Sequence, residues 1–358
     1  MAADTNPNPN APLSPPGRPA EIAILGLGQM GLACAGILTS GDPAKGSGER
    51  PVPRVRIWGH DQTEAGRLSQ TRKSDRLEGF TLHESVRVVL DDAELSKADL
   101  IVAAIPVQHI REALERLAPR VAPATAVVSV AKGIENGSLL RPTQVVAEVP
   151  GKRPVGALSG PTIAAELARG LPATMIAASS DAPLAKEVQT LFSTRWLRVY
   201  TNDDLIGVEL AGALKNVIAI AAGILDGLQA GNNAKSALLA RGLAEITRLG
   251  EAMGARPDTF FGVAGVGDLA TSCFSPEGRN RSCGEALGRG AKLDEYLSAT
   301  RHVVEGVWTT RAVVDLAQRQ EVEMPIVESV HAVLFDGMDP IEAIDRLMSR
   351  QLKEERIG

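Results

Sequence analysis

A glycine-rich turn near the start of the chain constrains its fold more than any other feature. Gly26, Gly28 and Gly31 follow the short apolar run Glu21–Leu25 and precede a segment rich in Ala, Leu and Ile. A strand, a tight glycine turn and a helix in this order present free backbone N–H groups to a pyrophosphate. Gly26 and Gly28 would allow its close approach, and Gly31 would let the helix pack on the strand. The pattern predicts a dinucleotide-binding unit, and the alternative is a tight turn without a ligand.

Strand-like and helix-like segments alternate after this turn. Apolar runs with strand character include RVRIW, DLIVAA, TAVVSV, PVGALS, ATMIAAS and WLRVYT. The alternation predicts an α/β fold with a Rossmann-like, doubly wound parallel sheet over residues 21–202. Residues 203–358 show helical periodicity and almost no strand signal, so we expect an all-helical second domain there. Residues 1–20 are predicted to form a disordered tail, and residues 41–53 a long surface loop.

Composition narrows the class of partner. The 358 residues carry a net charge of −5 with both signs interspersed, which gives no indication of a nucleic-acid partner. Cys34, Cys273 and Cys283 show no paired spacing, which favours a reducing compartment and hence the cytoplasm. The five histidines lack metal-ligand spacing, so no metal is expected. Apolar runs such as VIAIAAGIL are shorter than the roughly 20 residues of a membrane helix, so no membrane insertion is expected.

The end of the second predicted strand bears on the choice of nicotinamide cofactor. Enzymes that use NAD usually place an acidic residue there to hold the ribose hydroxyls. This chain has Trp58-Gly59-His60 instead, and Asp61 comes slightly late. An acid-free strand tip does not repel a 2′-phosphate, and His60 and Arg56 could attract one. We therefore expect NADP to be preferred over NAD, with use of both left open, while the alternative makes His60 a surface-loop residue.

The segment ELAGALKNVIAIAAGILDG places Lys215 in a run so apolar that the helix should be buried. At about 100° per residue, Lys215 points away from the main apolar face and lies along small residues that leave room for a cofactor or substrate. Burial lowers the pKa of a lysine ammonium toward neutrality, which would make Lys215 a usable general base. The alternative is close packing of a second helix, with Lys215 paired to Asp226 or Glu209.

Two motifs in the first domain could bind an anion or a carbonyl group. Lys132 follows a predicted strand, at the edge where open α/β sheets bind ligands. The sequence SGPT, residues 159–162, opens a helix from a strand end, with Pro161 suited to the first helical position. The alternatives are a solvated loop lysine and ordinary helix capping.

Two motifs in the second domain carry charged groups beside glycines. Asp268 follows AGVG and is either a helix N-cap or a partner of Lys215. Arg279, Asn280 and Arg281 follow a glycine, and arginine offers forked donors that suit a phosphate. A solvated basic turn is the alternative for the second motif.

Together these motifs resemble those of bacterial-type NAD(P)-dependent glycerol-3-phosphate dehydrogenases. The resemblance extends from about Ile22 to Val330, and GALKN and AGVGDL are its most specific segments. The order of the motifs also matches the family. The other matching segments are GLGQMG, IWGHD, VAKGIE, LSGPTIAAE, RGLAEITRLGEAMGA, GRNR, VVEG and MPIVESV.

The resemblance implies a role for each matching residue. Lys215 would be the general base at the C2 hydroxyl of the substrate, and Asp268 would orient it. Substrate contacts would come from Lys132, Gly160, Thr162, Lys215, Asp268, Gly278, Arg279 and Asn280. The dinucleotide would contact Gly26, Gly28, Gln29, Met30, Gly31, His60, Lys132, Ala164, Arg279, Val303 and Glu305.

The chain departs from the family pattern in three places. Gly278 stands where the family commonly has Ser, which removes a hydroxyl donor but keeps the backbone N–H. Gln29-Met30 replaces a Ser or Ala followed by an aromatic residue. The loop at 41–53 and the N-terminal tail are longer than usual. None of these changes removes a group that the chemistry needs.

The implied reaction interconverts sn-glycerol 3-phosphate and dihydroxyacetone phosphate with NAD or NADP, supplying glycerol 3-phosphate for phospholipid synthesis. A cytoplasmic homodimer is the expected assembly. One alternative is a reductase of the same superfamily for another hydroxy or keto acid, which would not need Arg279 and Asn280 where they are. The other is a non-catalytic dinucleotide-binding regulator, which would not need Lys132, Lys215 and Asp268 together.

Overall fold

The computed structural model describes residues 18–42, 51–149, 153–300, 303–351 and 354. Residues 1–17 of the predicted tail and 43–50 of the predicted loop lie outside this part of the chain. Within it, a sheet flanked by helices comes first and a region of helices follows. This arrangement confirms the predicted fold class, an α/β sheet domain followed by an all-helical region.

Eight strands form one sheet in the described part of the chain, in the order β3-β2-β1-β4-β5-β6-β7-β8. All neighbouring strands are parallel except β6 and β7. The strand order reverses between β1 and β4, which is where doubly wound sheets open a crevice for ligands. The strands are β1 (Glu21–Leu25), β2 (Arg54–Trp58), β3 (Arg87–Val89), β4 (Leu100–Ala103), β5 (Ala126–Ser129), β6 (Val155–Ser159), β7 (Ala173–Ala178) and β8 (Leu197–Asn202).

Two features of the sheet differ from the sequence expectation. Strand β3 was not predicted, because three residues are too few to show an alternating pattern. The antiparallel β6–β7 pair corrects the prediction of a fully parallel sheet. The helix between these strands has five residues and rises about 8 Å, roughly half the length of β6, so the chain does not return to the opposite edge before it enters β7.

Six α-helices accompany the sheet in the residues that the structure describes. Aspartates begin two of them: Asp61 accepts hydrogen bonds from the N–H groups of Thr63 and Glu64, and Asp181 from that of Leu184. Short 3₁₀ turns occupy Asp92–Lys97 and Val107–His109. The helices are α1 (Gln29–Leu38), α2 (Gln62–Thr71), α3 (Ile110–Leu117), α4 (Pro142–Glu148), α5 (Ala164–Ala168) and α6 (Ala182–Phe192).

Nine helices follow β8 in the described residues, with a π-helical turn at Val263–Gly267. The first of them, α7, begins after Asp204, whose carboxylate accepts a hydrogen bond from the N–H of Gly207. The helices are α7 (Leu205–Gly227), α8 (Gly231–Ala252), α9 (Pro257–Phe260), α10 (Asp268–Phe274), α11 (Arg279–Gly288), α12 (Leu293–Ala299), α13 (Glu305–Arg319), α14 (Pro325–Phe335) and α15 (Pro340–Met348).

Helix α7 is the core helix of the second region. Its 23 residues are long and apolar enough, by length and composition, to cross a membrane, which corrects the expectation that no apolar run reaches that length. However, 89% of its apolar window is buried inside the protein. The side chains of the surrounding helices cover it and form the apolar core of this region. Helix α7 is therefore buried by protein, as the apolar sequence predicts.

Glycines bring α7 and α11 into close contact. A Cβ atom at Gly284 of α11 would lie 2.0 Å from the carbonyl oxygen of Ile220 on α7. Conversely, a Cβ atom at Gly223 of α7 would lie 1.9 Å from the carbonyl oxygen of Arg281. Neither position has room for a side chain. The sequence alternative of close helix packing is therefore correct for this part of α7.

We expect Gly284→Ala to destabilise the protein by about 1–3 kcal/mol, because the new methyl group must push two helix backbones apart. The change in the free energy of unfolding can be measured by urea titration. Gly66→Ala is the matched control, since Gly66 lies within α2 and has open space around its missing Cβ atom. This control should be neutral or stabilising by up to about 1 kcal/mol. Equal losses in the two variants would contradict the close-packing argument.

Candidate active site

The glycine turn after β1 has the geometry of a pyrophosphate site. Gly26 has a φ of +120°, and a Cβ atom there would lie 2.4 Å from the carbonyl oxygen of Ala104. A Cβ atom at Gly31 would lie 2.0 Å from the carbonyl oxygen of Gly26, whereas one at Gly28 would meet nothing within 4 Å. Gly26 and Gly31 are thus needed by the fold itself, and Gly28 faces open space. The residues fit a dinucleotide, because the first N–H groups of α1 have no partners within the helix.

The end of β2 shows which side chains are free to meet a 2′-phosphate. His60 is exposed. Asp61 caps α2, and the N–H groups of Glu64 and Thr63 hold its pKa below the usual value. Arg56 forms an ion pair with Glu21 at the start of β1, away from the carboxyl edge. The expectation that Arg56 helps to attract a 2′-phosphate is therefore wrong, and His60 alone keeps that role open.

A buried carboxylate joins two lysines at the carboxyl edge of the sheet. Lys215 Nζ lies 2.7 Å from Asp268 Oδ1, and Lys132 Nζ lies 2.5 Å from Asp268 Oδ2. Lys132 Nζ also donates to the carbonyl oxygen of Gly160 at 2.8 Å and to Thr162 Oγ1 at 3.3 Å. The side chains of Lys132, Lys215 and Asp268 are 15%, 10% and 1% exposed. The structure thus brings five of the predicted substrate-contact residues into one hydrogen-bonded group.

Charge and burial together favour the loss of one proton from this group. Burial lowers the pKa of Lys132 to about 8; the Asp268 carboxylate opposes this shift, and the nearby Lys215 ammonium reinforces it. A single carboxylate balances only one of the two ammonium charges. The site can therefore release and take up a proton near neutral pH, which is what acid–base catalysis requires.

The alternative partners that the sequence allowed for Lys215 are engaged elsewhere. Glu209 pairs with Arg141 and accepts hydrogen bonds from Thr143. Asp226 accepts hydrogen bonds from Lys235 and Arg281. Asp268 is itself the first residue of α10, so it is the partner of Lys215 and not an N-cap.

The small-residue lane along α7 meets the sheet domain near Lys215. A Cβ atom at Gly212 would lie 3.1 Å from Ser159 Oγ and 3.4 Å from Lys132 Cγ. At this end of α7 the glycine therefore lets the helix approach the strand ends that carry Lys132. The open lane that the sequence suggested for a ligand is occupied here by the edge of the sheet.

Two residues of the site were missed in the sequence. Ser272 Oγ accepts a hydrogen bond from Lys215 Nζ at 2.5 Å, and Asn216 Nδ2 donates to the carbonyl oxygen of Lys132 at 3.3 Å. The sequence does contain a hint for each residue. Ser272 lies four residues, about one helical turn, after Asp268, so the two side chains share a helix face. Asn216 is the neighbour of Lys215 in a buried helix. Neither signal identifies a contact without the tertiary structure.

A chain of amide hydrogen bonds ties three elements together. Asn280 Nδ2 on α11 donates to Asn216 Oδ1 on α7 at 2.9 Å. Asn280 Oδ1 in turn accepts a hydrogen bond from the N–H of Gly306 in α13, also at 2.9 Å. Asn280 is buried. Its amide is thus used to position helices, and its expected substrate contact stays a prediction.

Arg279 begins α11 and forms a second group with two residues predicted to bind the dinucleotide. Its Nη1 donates to the carbonyl oxygen of Val303 at 3.2 Å, and its Nη2 lies 3.5 Å from Glu305 Oε2. The Arg279 side chain is 41% exposed. Gly278 is the N-cap of α11 and has no side chain to satisfy its first N–H groups. The guanidinium and these N–H groups can together bind an anion.

The SGPT loop adopts a different local structure from the one predicted. Gly160 has a φ of +139°, and a Cβ atom there would lie 2.8 Å from the carbonyl oxygen of Thr174. Helix α5 starts at Ala164 with Ile163 as its N-cap, so Pro161 is not its first residue. Residues 160–163 form a loop between β6 and α5, and this loop places Thr162 next to Lys132. Gly160 is required by the backbone at this point.

The remaining cofactor candidates lie along the same edge of the sheet. The residues of the β1–α1 turn and His60 follow β1 and β2, and Lys132 and Ala164 follow β5 and β6. Met30 and Ala164 are partly buried and pack against the apolar core of the sheet domain. Because β1, β2, β5 and β6 all run in the same direction, their carboxyl ends share this edge. Their binding roles stay predictions.

Known protein families and relatives match most of the chain. The family model for the N-terminus of NAD-dependent glycerol-3-phosphate dehydrogenase matches residues 21–185, and the model for the C-terminus matches residues 204–345. A glycerol-3-phosphate dehydrogenase [NAD(P)+] from Syntrophotalea carbinolica is 44% identical over 94% of this chain and 99% of its own length. A glycerol-3-phosphate dehydrogenase [NAD(P)+] from Streptomyces coelicolor is 40% identical over 95% of this chain and 99% of its own length.

Solved structures show the same relationship. The crystal structure of glycerol-3-phosphate dehydrogenase from Coxiella burnetii superimposes with a TM-score of 0.86 and 35% identity, covering 93% of this chain and 99% of that one. A D-mandelate dehydrogenase bound to NADH shares only the fold. Its TM-score is 0.58, and it is 14% identical, covering 90% of this chain and 99% of that one. From the two family models and these identities, the chain belongs to the NAD-dependent glycerol-3-phosphate dehydrogenase family.

Proposed function

We propose that the protein interconverts sn-glycerol 3-phosphate and dihydroxyacetone phosphate with NAD or NADP, and so supplies glycerol 3-phosphate for phospholipid synthesis. The observation that carries this proposal is the buried contact of Lys215, Asp268 and Lys132 at the ligand-binding edge of the sheet. A proton acceptor, a group that orients it and a second cation suit the oxidation of a hydroxyl beside a phosphate. The family membership supports the same activity.

In this proposal Lys215 moves the proton. As a neutral amine it takes the proton of the C2 hydroxyl when glycerol 3-phosphate is oxidised, and as an ammonium it donates to the C2 carbonyl oxygen in the reduction. Asp268 and Ser272 accept hydrogen bonds from Nζ and hold it in position. When bound, the dinucleotide supplies the nicotinamide that accepts or donates the hydride. Lys132, held by Gly160 and Thr162, adds positive charge beside the reacting oxygen.

Arg279 and the N-terminus of α11 are the proposed contact for the substrate phosphate. The Arg279 side chain is partly exposed, and the first N–H groups of α11 lie at the same end of the helix. An arginine and a helix N-terminus together suit a doubly charged phosphate better than a carboxylate. This supports a phosphate ester over a simple hydroxy acid. Retention of the complete lysine–carboxylate group supports an enzyme over a dinucleotide-binding regulator.

We also propose a cytoplasmic homodimer. Cys34, Cys273 and Cys283 are all buried free thiols, which suits a reducing compartment. Ile341 and Met348, 57% and 79% exposed, lie two turns apart on α15 and offer apolar surface for a second copy. The molar mass from light scattering decides between a monomer and a dimer.

Replacement of the proposed base should abolish turnover without abolishing cofactor binding. We expect Lys215→Ala to lower kcat by about 10²–10⁴-fold, because no other group takes the C2 proton. The measurement is the initial rate of NADPH oxidation with dihydroxyacetone phosphate, with NADPH binding followed separately by fluorescence. Lys186→Ala, at an exposed lysine of α6, is the control and should behave as the wild type. Unchanged turnover in Lys215→Ala would reject the base assignment.

The pH dependence should report the charge of Lys132. Its pKa of about 8 means that the ammonium loses its proton as the pH rises through 8, and attraction for the anionic substrate is then lost. We therefore expect kcat/KM for dihydroxyacetone phosphate to fall above about pH 8. Lys132→Arg, which keeps its charge at all accessible pH values, should move this fall to higher pH. A fall at the same pH in Lys132→Arg would assign the titration to another group.

NADP should be preferred over NAD, because the acid nearest the end of β2 is used to cap α2 and His60 remains exposed. We expect His60→Ala to raise KM for NADPH while leaving KM for NADH nearly unchanged. Steady-state assays with both cofactors in both directions measure this difference. Equal changes in the two KM values would show that His60 does not contact the 2′-phosphate.

A further inference from the structure

A partly buried charge cluster lies at the opposite end of α7 from the glycine contact with the sheet domain. Asp226 accepts hydrogen bonds from Lys235 Nζ of α8 on both oxygens, at 2.8 and 2.7 Å, and from Arg281 Nε of α11 at 2.6 Å. The side chains of Asp226, Lys235 and Arg281 are 21%, 7% and 15% exposed. The proposed catalytic groups do not include any of these three residues. Such a cluster needs a reason, because even partial desolvation of three charged groups is costly.

The cluster also reaches the helix that carries Asp268. Lys235 Nζ lies 4.9 Å from the centre of the Phe274 ring, at the last residue of α10. Asp226 belongs to α7 and Arg281 to α11. Three of the four helices that meet here, α7, α10 and α11, therefore carry the proposed base, its carboxylate partner and the proposed phosphate contact.

Arg281 can set the rotation of α11. Arg279 and Arg281 are two residues apart, so their side chains leave the helix in directions about 200° apart. Arg281 points to Asp226 on α7, which leaves Arg279 on the outer face near Val303. The close glycine contact with α7 fixes the distance between the helices, and the Asn280 amide joins α11 to α7 one residue before Arg281. The Arg281–Asp226 ion pair supplies a second directional contact, on the other side of the glycines.

We infer that Asp226, Lys235 and Arg281 form a positioning cluster that orients Arg279 and the N-terminus of α11 toward the substrate phosphate. This inference rests on the proposed phosphate contact of Arg279. The cluster residues touch neither substrate nor dinucleotide in this proposal. They act through the angle of α11, so their loss should affect the phosphate-bearing substrate more than the dinucleotide.

The test compares kinetic constants of Arg281→Gln and Asp226→Asn in the full-length enzyme. We expect KM for dihydroxyacetone phosphate to rise by about ten-fold or more in each, with KM for NADPH within about two-fold of the wild type. The double variant should be little worse than Asp226→Asn alone, because both single changes remove the Arg281–Asp226 contact. Arg281→Lys keeps the charge and should recover part of the loss.

Two control variants separate positioning from general stability. Arg319→Gln removes an exposed arginine at the end of α13 and should leave both KM values unchanged. Val330→Ala removes buried volume in α14 and should lower the melting temperature without changing KM. If Arg281→Gln behaves like Val330→Ala, the cluster is only structural and the inference is wrong.

A further variant distinguishes this outcome from failure of the phosphate assignment. Arg279→Gln should itself raise KM for dihydroxyacetone phosphate. If Arg279→Gln does so and Arg281→Gln does not, the positioning inference fails and the phosphate contact stands. If neither variant changes this KM, the proposed phosphate contact fails and the inference fails with it. If Asp226→Asn does not fold, Arg281→Gln and Arg281→Lys still decide the question.

Discussion

The carboxylate of Asp268 is the contact on which the rest of the site depends. It is almost fully buried, and each of its oxygens faces a lysine ammonium from a different part of the chain. A carboxylate at that depth is stable only when paired, so it requires both Lys132 at the end of β5 and Lys215 on α7. The same ionic contact therefore joins the sheet to the helical region and assembles the proposed proton-transfer group. Because two cations share one anion, it also places a readily released proton at the site.

The position of that carboxylate relative to the phosphate contact depends on helix packing. Glycines let α7 and α11 touch through their backbones, and the amide chain from Asn216 to Asn280 joins the same helices near the site. Backbone contact fixes distance closely because it leaves no flexible side chain between the helices. Polar contacts at either end then fix direction. The arrangement explains why so apolar a helix as α7 carries a few charged and amide side chains at defined positions.

Much of the fold and part of the site could be predicted from the sequence, because they depend on local patterns. The strand, glycine turn and helix at Gly26–Gly31 have a short-range signature, and so does the change from alternating strands to helices after β8. The short strand β3, the reversed direction of β7 and the true start of α5 could not be predicted. They depend on how far a short connection reaches across the sheet, and no residue pattern encodes that distance. Arg56 was misassigned for a similar reason, since its partner Glu21 lies on a neighbouring strand.

By itself, the sequence determined that a lysine would be buried in an apolar helix and would need either a partner or a chemical role. It left three carboxylates as possible partners. Glu209 and Asp226 are near Lys215 in the chain, whereas Asp268 is far from it in the chain and near it only in the folded structure. The tertiary structure decided among them by engaging the first two with arginines and Lys235 and leaving Asp268 between two ammonium groups. Helical periodicity gives the direction in which a side chain leaves its own helix. What it meets there depends on the packing of other elements, since electrostatic pairing acts through space and not along the chain.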